Sequence, residues 1–140
     1  MTIKFKKLTE EAVIPYRTED SGAGYNLTVA GVSTEINQRG QVVVVYHSGI
    51  AVEIPEKYEG IIRPTNSISG KTIRMCGAPC VVSDGFNELV GKFIVTTDVI
   101  PSVYEKGDVF AQLVINKKES VDFKEVQDEA SAATGSQSLP

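Results

Sequence analysis

Three features predict an all-β fold, a barrel or jelly-roll-like sandwich. The chain consists of short runs rich in β-branched and aromatic residues, separated by turn-forming residues, with almost no stretch of helical period. Its 140 residues are 41% hydrophobic and 23% charged, with 12 glycines, 6 prolines and no tryptophan. That composition is expected to give one soluble domain with a modest core.

In chain order, residues 3–8 and 25–29 are predicted as the first two strands, each a short run containing β-branched or aromatic side chains. Residues 41–46 carry four consecutive valines before Tyr46, the clearest strand signal in the chain. Residues 50–54 follow, bounded by Gly49 and Pro55, and residues 60–63 end at Pro64. Residues 71–75, 92–96, 109–115 and 120–126 complete the predicted set. Between them, Asn37-Gln-Arg-Gly40, Pro55-Glu-Lys-Tyr58 and Tyr104-Glu-Lys-Gly-Asp108 read as turns, the first and last with a glycine able to take positive φ. Residues 1–127 are expected to form the domain. Residues 128–140 are too poor in large apolar side chains to hold themselves down and are expected to form a flexible tail or to dock on a neighbour.

Several function classes are disfavoured. The formal net charge is -4, with no basic cluster to track a phosphate backbone, so a nucleic-acid polymer is not an expected partner. No apolar run approaches the roughly 20 residues that span a bilayer, and the first residues lack the apolar core of a signal peptide. No membrane partner and a cytoplasmic location are therefore expected. Cys76, Cys80 and the single His47 cannot assemble a four-ligand zinc site, so no resident metal is expected. The cysteines read as small apolar residues, and His47 as a packed or solvated side chain at a strand end.

Six segments carry a family resemblance over nearly the whole chain. Ala12 to Leu27 runs from a proline-led stretch into Gly24-Tyr-Asn-Leu27, and Gly49 to Pro64 reads as a long hairpin leading into a polar loop. Pro64-Thr65-Asn66-Ser67-Ile-Ser69-Gly-Lys71, Val82-Ser83-Asp84-Gly85-Phe86-Asn87-Glu88 and Gly107-Asp-Val-Phe-Ala-Gln112-Leu113 follow. A glycine-containing stretch, residues 132–137, comes last. In order and spacing these resemble the motifs of trimeric dUTPases.

The resemblance implies a dUTPase-like β domain, assembled as a homotrimer with a C-terminal arm and with nucleotide clefts between subunits. The residues that do the family's chemistry are largely replaced. Asn26 stands for an acid, Thr65-Asn66 for an Arg-Ser pair that serves the triphosphate, Ser83 for the acid that activates water, Val109 for an arginine, and the last motif lacks its phenylalanine. A hydroxyl cannot reproduce the planar, permanently charged fork of a guanidinium. A serine without a base beside it cannot replace a proton acceptor.

The expectation is a trimer that binds a small nucleotide-like ligand without ordinary dUTP hydrolysis, as a sponge for a signalling nucleotide or as a regulator, encoded by a phage and working in its host's cytoplasm. Arg63, Ser67, Ser69, Lys71, Ser83, Phe86 and Gln112 are the ligand-binding candidates. The alternative is a divergent dUTP diphosphatase, in which Asp84, one residue beyond Ser83, becomes the catalytic base and Mg2+ accompanies the triphosphate. On a hairpin a one-residue offset reverses the side chain's face, so this role for Asp84 requires a bulge or shifted register. A trimer that only binds other proteins is the third expectation. The deaminase branch of the same fold is disfavoured because its expected glutamate falls on Phe93.

Overall fold

The computed structural model describes residues 1–77, 80–97 and 102–127. The chain forms two antiparallel sheets packed face to face, the arrangement of a jelly-roll-like sandwich. The first sheet holds β1 (Lys4–Lys7), β3 (Gly31–Ile36), β4 (Val42–Glu53), β8 (Phe86–Val95) and β6 (Ile73–Met75). The second has the order β2 (Tyr25–Thr28), β9 (Val109–Lys117), β5 (Tyr58–Arg63), β7 (Cys80–Val82).

β4 is the spine of the first sheet. It pairs with β8 along one edge and, along the other, with β3 and then β1. Its β-branched run suits a strand covered on both faces: Val43 and Val45 are buried on one side, Val44 and Tyr46 on the other. The two sheets meet in an aromatic cluster. Tyr46 lies 5.4 Å from Phe93 and 5.7 Å from both Tyr104 and Phe110, with edge-on or tilted rings, geometry worth about 0.5–1.5 kcal/mol per pair beyond burial. The Tyr46 hydroxyl donates to the Tyr104 carbonyl (3.0 Å) and accepts from the Tyr104 N–H (2.9 Å), so this buried polar group is satisfied.

The three expected turns form. Asn37 Oδ1 accepts from the N–H groups of Arg39 and Gln41, and Gly40 takes φ of 77°. Tyr58 N–H donates to Pro55 O, and Asp108 Oδ2 accepts from Glu105 N–H ahead of Gly107 at φ 95°.

Other expectations need correction. Residues 41–46 and 50–54 are one strand, β4, with a register irregularity between His47 and Ala51, where four steps along β4 match two along β8 and Gly49 at φ 71° lets the excess bulge without ending the ladder. His47 therefore lies within a strand instead of at its end. Gly49 to Pro64 is not a hairpin: β4 and β5 belong to different sheets, and residues 54–57 carry the chain across. β7 and β8 are likewise divided between the sheets, so residues 83–85 form a corner. β3 and β7 escaped prediction, and β8 begins at Phe86 where residues 92–96 were expected. Residues 120–126 form no strand. Val121, Phe123 and Val126 are 66%, 96% and 74% exposed, so among the described residues this segment is not covered by either sheet. The expected tail at residues 128–140 lies outside the described residues. No helix of the described residues is long and apolar enough to cross a membrane.

Candidate functional site

Register builds the site. Gln112 of β9 stands opposite Asn26 of β2 on one side and Arg63 of β5 on the other, so three polar side chains form one row across adjacent strands. Gln112 Nε2 donates to the Ser21 carbonyl and to Asn26 Oδ1, both at 3.2 Å, and Arg63 Nη2 reaches Gln112 Oε1 at 3.5 Å. The Ser21 carbonyl can only accept, which fixes the nitrogen of the Gln112 amide on that side. Gln112 thus has both amide hydrogens committed to the protein. It orients Arg63 and the loop carrying Ser21, and is not a free donor for phosphate.

Beyond this row lies a cavity of 660 Å³ whose lining includes Asp20, Gly22, Arg63, Thr65, Ser67 and Gln112. A short 3-10 turn, Asn66–Gly70, shapes its far side after Pro64 ends β5. Thr65 Oγ1 and Ser67 Oγ lie 2.7 Å apart, and Ser67 Oγ lies 2.8 Å from the Tyr104 hydroxyl. Lys71 Nζ sits 5.1 Å from the centroid of the same tyrosine ring, close enough for cation–π attraction. An exposed guanidinium, two hydroxyls and a neighbouring ammonium suit an anionic ligand with several acceptor oxygens.

The structure therefore brings Arg63, Ser67 and Gln112 together, with Lys71 adjoining through Tyr104. Ser69 falls differently: its hydroxyl donates to the Asn66 carbonyl at 3.0 Å, closing the 3-10 turn. Ser83, Asp84 and Phe86 lie at the β7–β8 corner and line other surfaces. Ser83 borders a depression shared with Asn87, Glu88 and Lys92, whereas Asp84 borders one with Lys4, Glu53 and Glu56. Phe86 is 38% exposed, with Lys6 Nζ 4.2 Å from its ring centroid.

Asp84 and Gly85 have φ of 56° and 72°, and Asn87 Nδ2 donates to the carbonyls of Ser83, Asp84 and Gly85 at 2.9, 2.8 and 3.3 Å. Two successive positive φ values are the sign pattern of a type I′ turn. The expected one-residue alternation between Ser83 and Asp84 accordingly does not hold, because these residues turn between sheets.

Asp20, Ser21, Gly22 and Tyr104 were not singled out from sequence. Only the pairing of β2 with β9 and the hydroxyl contact between Ser67 and Tyr104 bring them here, and short-range pattern carries no sign of either. Among the described residues no group of three His, Cys, Asp or Glu side chains is placed to hold a metal ion. Phe93 is fully buried in the aromatic cluster, a position with no access to a ligand.

The family model described as dUTPase matches residues 10–139. The chain is 29% identical over 136 residues to a deoxyuridine 5'-triphosphate nucleotidohydrolase of Rickettsia bellii (strain OSU 85-389), covering 96% of this chain and 90% of the relative. It is 31% identical over 125 residues to the Arabidopsis thaliana protein of the same name, covering 89% of this chain and 73% of the relative. Among solved structures, a mutant dUTPase from phage phi11 of S. aureus, described with a coordinated structural Mg(II) ion, aligns with a TM-score of 0.67 at 22% identity, covering 94% of this chain and 100% of that one. The dUTPase of Staphylococcus bacteriophage 80alpha with dUpNHpp aligns with a TM-score of 0.66 at 22% identity, covering 93% and 90%. At such identities the structural likeness speaks for the fold.

Proposed function

The chain belongs to the dUTPase family, and on that premise we propose that it binds a dUTP-type deoxynucleoside triphosphate and hydrolyses it with release of pyrophosphate, in clefts shared between three copies. The observation that carries this reading is the Gln112 row and its cavity, which place Arg63, Thr65 and Ser67 around one anion-sized space. The relatives named for dUTP hydrolysis align along most of the chain, which supports the same substrate class. Arg63 and the hydroxyls would take phosphate oxygens, with Lys71 adding charge. Mg2+ would arrive with the triphosphate: among the described residues Asp20 is the carboxylate lining the cavity, and a hard cation of this kind completes its shell with phosphate oxygens and water. Asp84, the candidate base, lines a separate depression in its own chain, so it would act only on a ligand held by a neighbouring copy.

A second reading is ligand holding without ordinary turnover, the role of a sponge or regulator in the cytoplasm. It is favoured by one observation: Ser83 and Thr65 stand where a water-activating acid and a phosphate-binding arginine would be needed. Sequestration requires only ground-state affinity, whereas hydrolysis requires charge aimed at a transition state.

Purified protein with dUTP and magnesium in a pyrophosphate-release assay separates the two. Turnover of roughly 1 per second or faster, lost in Asp84→Asn, supports hydrolysis. Calorimetric binding without pyrophosphate supports the second reading. Neither binding nor release, across a panel of nucleotides, leaves a trimer that only binds other proteins.

A further inference from the structure

Away from the Gln112 cavity, the outer face of the five-stranded sheet carries a second organised polar cluster. Ser33 of β3, His47 of β4 and Glu88 of β8 form one hydrogen-bonded series. Ser33 Oγ lies 2.9 Å from His47 Nε2, and His47 Nδ1 lies 3.2 Å from Glu88 Oε1. Register brings them together: His47 stands opposite Gly31 and Val90, two positions along from Ser33 and Glu88, which makes them diagonal neighbours within side-chain reach. All three are accessible, since Ser33 is exposed and the side chains of His47 and Glu88 are 36% and 26% exposed.

The second carboxylate oxygen of Glu88 accepts the Gly49 N–H at 3.0 Å, at the irregularity in β4. The acid is thereby held from behind. A carboxylate only accepts, so Nδ1 of His47 carries the proton and Nε2 presents its lone pair to the Ser33 hydroxyl. A nucleophile, a base hydrogen-bonded to it and an acid orienting the base are the parts of an activated serine.

We propose that Ser33 is a reactive nucleophile, acylated by small activated carboxylic esters, with His47 as its general base and Glu88 as a positioning residue. Ser33 Oγ attacks the ester carbonyl carbon while His47 Nε2 takes the hydroxyl proton. The tetrahedral adduct collapses with cleavage of the bond to the leaving oxygen, which departs as an alcohol or phenol bearing the proton from His47. In a slower second step water, deprotonated in turn by His47, attacks the acyl carbon and releases the carboxylic acid with free Ser33, so the acyl-serine accumulates. Ser33 stands exposed on its strand, so selectivity comes from the serine's reactivity.

The full chain treated with p-nitrophenyl acetate, followed by intact mass and peptide mapping, tests the assignment. The expected result is one acetyl adduct, on Ser33, forming about 100-fold faster than on serines of the unfolded chain, the lower range of general-base assistance. Ser33→Ala abolishes the adduct. His47→Gln lowers the rate about 100-fold. In Glu88→Gln the carbonyl oxygen keeps the Gly49 contact while the amide N–H faces Nδ1. This variant should retain its melting temperature, switch His47 to the Nε2–H tautomer in 15N imidazole spectra and lose labelling. Ser33 labelled no faster than other serines, or labelled equally in His47→Gln, would overturn the proposal and leave the cluster as a clasp between three strands.

Discussion

Gln112 has no room to move. A Cβ added at Gly24 would stand 2.8 Å from both Cβ and Oε1 of Gln112, closer than real side chains approach. Gly24→Ala is therefore expected to push Gln112 off the Ser21 carbonyl and Asn26, costing about 1–3 kcal/mol for polar groups left unmatched. Urea unfolding measures that cost. The same variant should weaken nucleotide binding about tenfold by calorimetry, because Arg63 loses its support. Tyr46 offers a second test at this scale. Burial raises its pKa above the ordinary tyrosine value, so the phenol keeps its proton in the fold at pH values where the unfolded chain has lost it. The folded state then binds more protons. Tyr46's contribution is full below the ordinary value of about 10 and is lost as pH rises from there through the raised folded value. Tyr46→Phe should lower stability by about 1–3 kcal/mol at neutral pH, by orphaning the Tyr104 N–H and carbonyl. It should also flatten the decline seen in unfolding midpoints above pH ~10.

Among the elements, β4 concentrates the constraints. Gly49 combines φ of 71° with a crowded site, where a Cβ would meet Ala12 Cβ at 3.0 Å and Thr9 Oγ1 at 3.2 Å. Gly49→Ala therefore incurs both backbone strain and overpacking, about 2 kcal/mol or more together. Its thermal midpoint should fall accordingly, and the backbone N–H that holds Glu88 should be displaced. Gly40→Ala serves as the control, because it shares the positive φ but has nothing within 4 Å of the added Cβ. It should lose only the backbone part, about 1 kcal/mol.

At the scale of the whole molecule, residues 119–127 run on from β9 in no helix or strand and expose Phe123 almost completely. Apolar side chains presented in this way are expected to be covered by a neighbouring copy. Light scattering should return three times the 15.1 kDa chain mass. Phe123→Asp should shift the population towards monomer at micromolar concentration and, because the proposed clefts are shared, should reduce nucleotide binding in parallel. A monomeric wild-type chain would remove the shared clefts.

Local pattern and composition were enough to determine the all-β class and the turns at Asn37, Pro55 and Tyr104, because β-branched runs and turn chemistry act over a few positions, while the family was legible through the resemblance of its motif segments. The valine run before Tyr46 and the positive-φ glycines Gly40 and Gly107 are of this kind. Arg63, Ser67 and Gln112 were picked out by family spacing, and the structure places them on the lining of one cavity. What only the tertiary structure decided is which residues meet. The row of Asn26, Gln112 and Arg63, the series of Ser33, His47 and Glu88, and the split of β7 from β8 at Asp84 all depend on pairings between strands distant in the chain. The same sequence pattern is compatible with a hairpin or with a crossing between sheets. Burial of the aromatic cluster around Tyr46 selects the crossing, because only two facing sheets can bring Tyr46, Phe93, Tyr104 and Phe110 into one core.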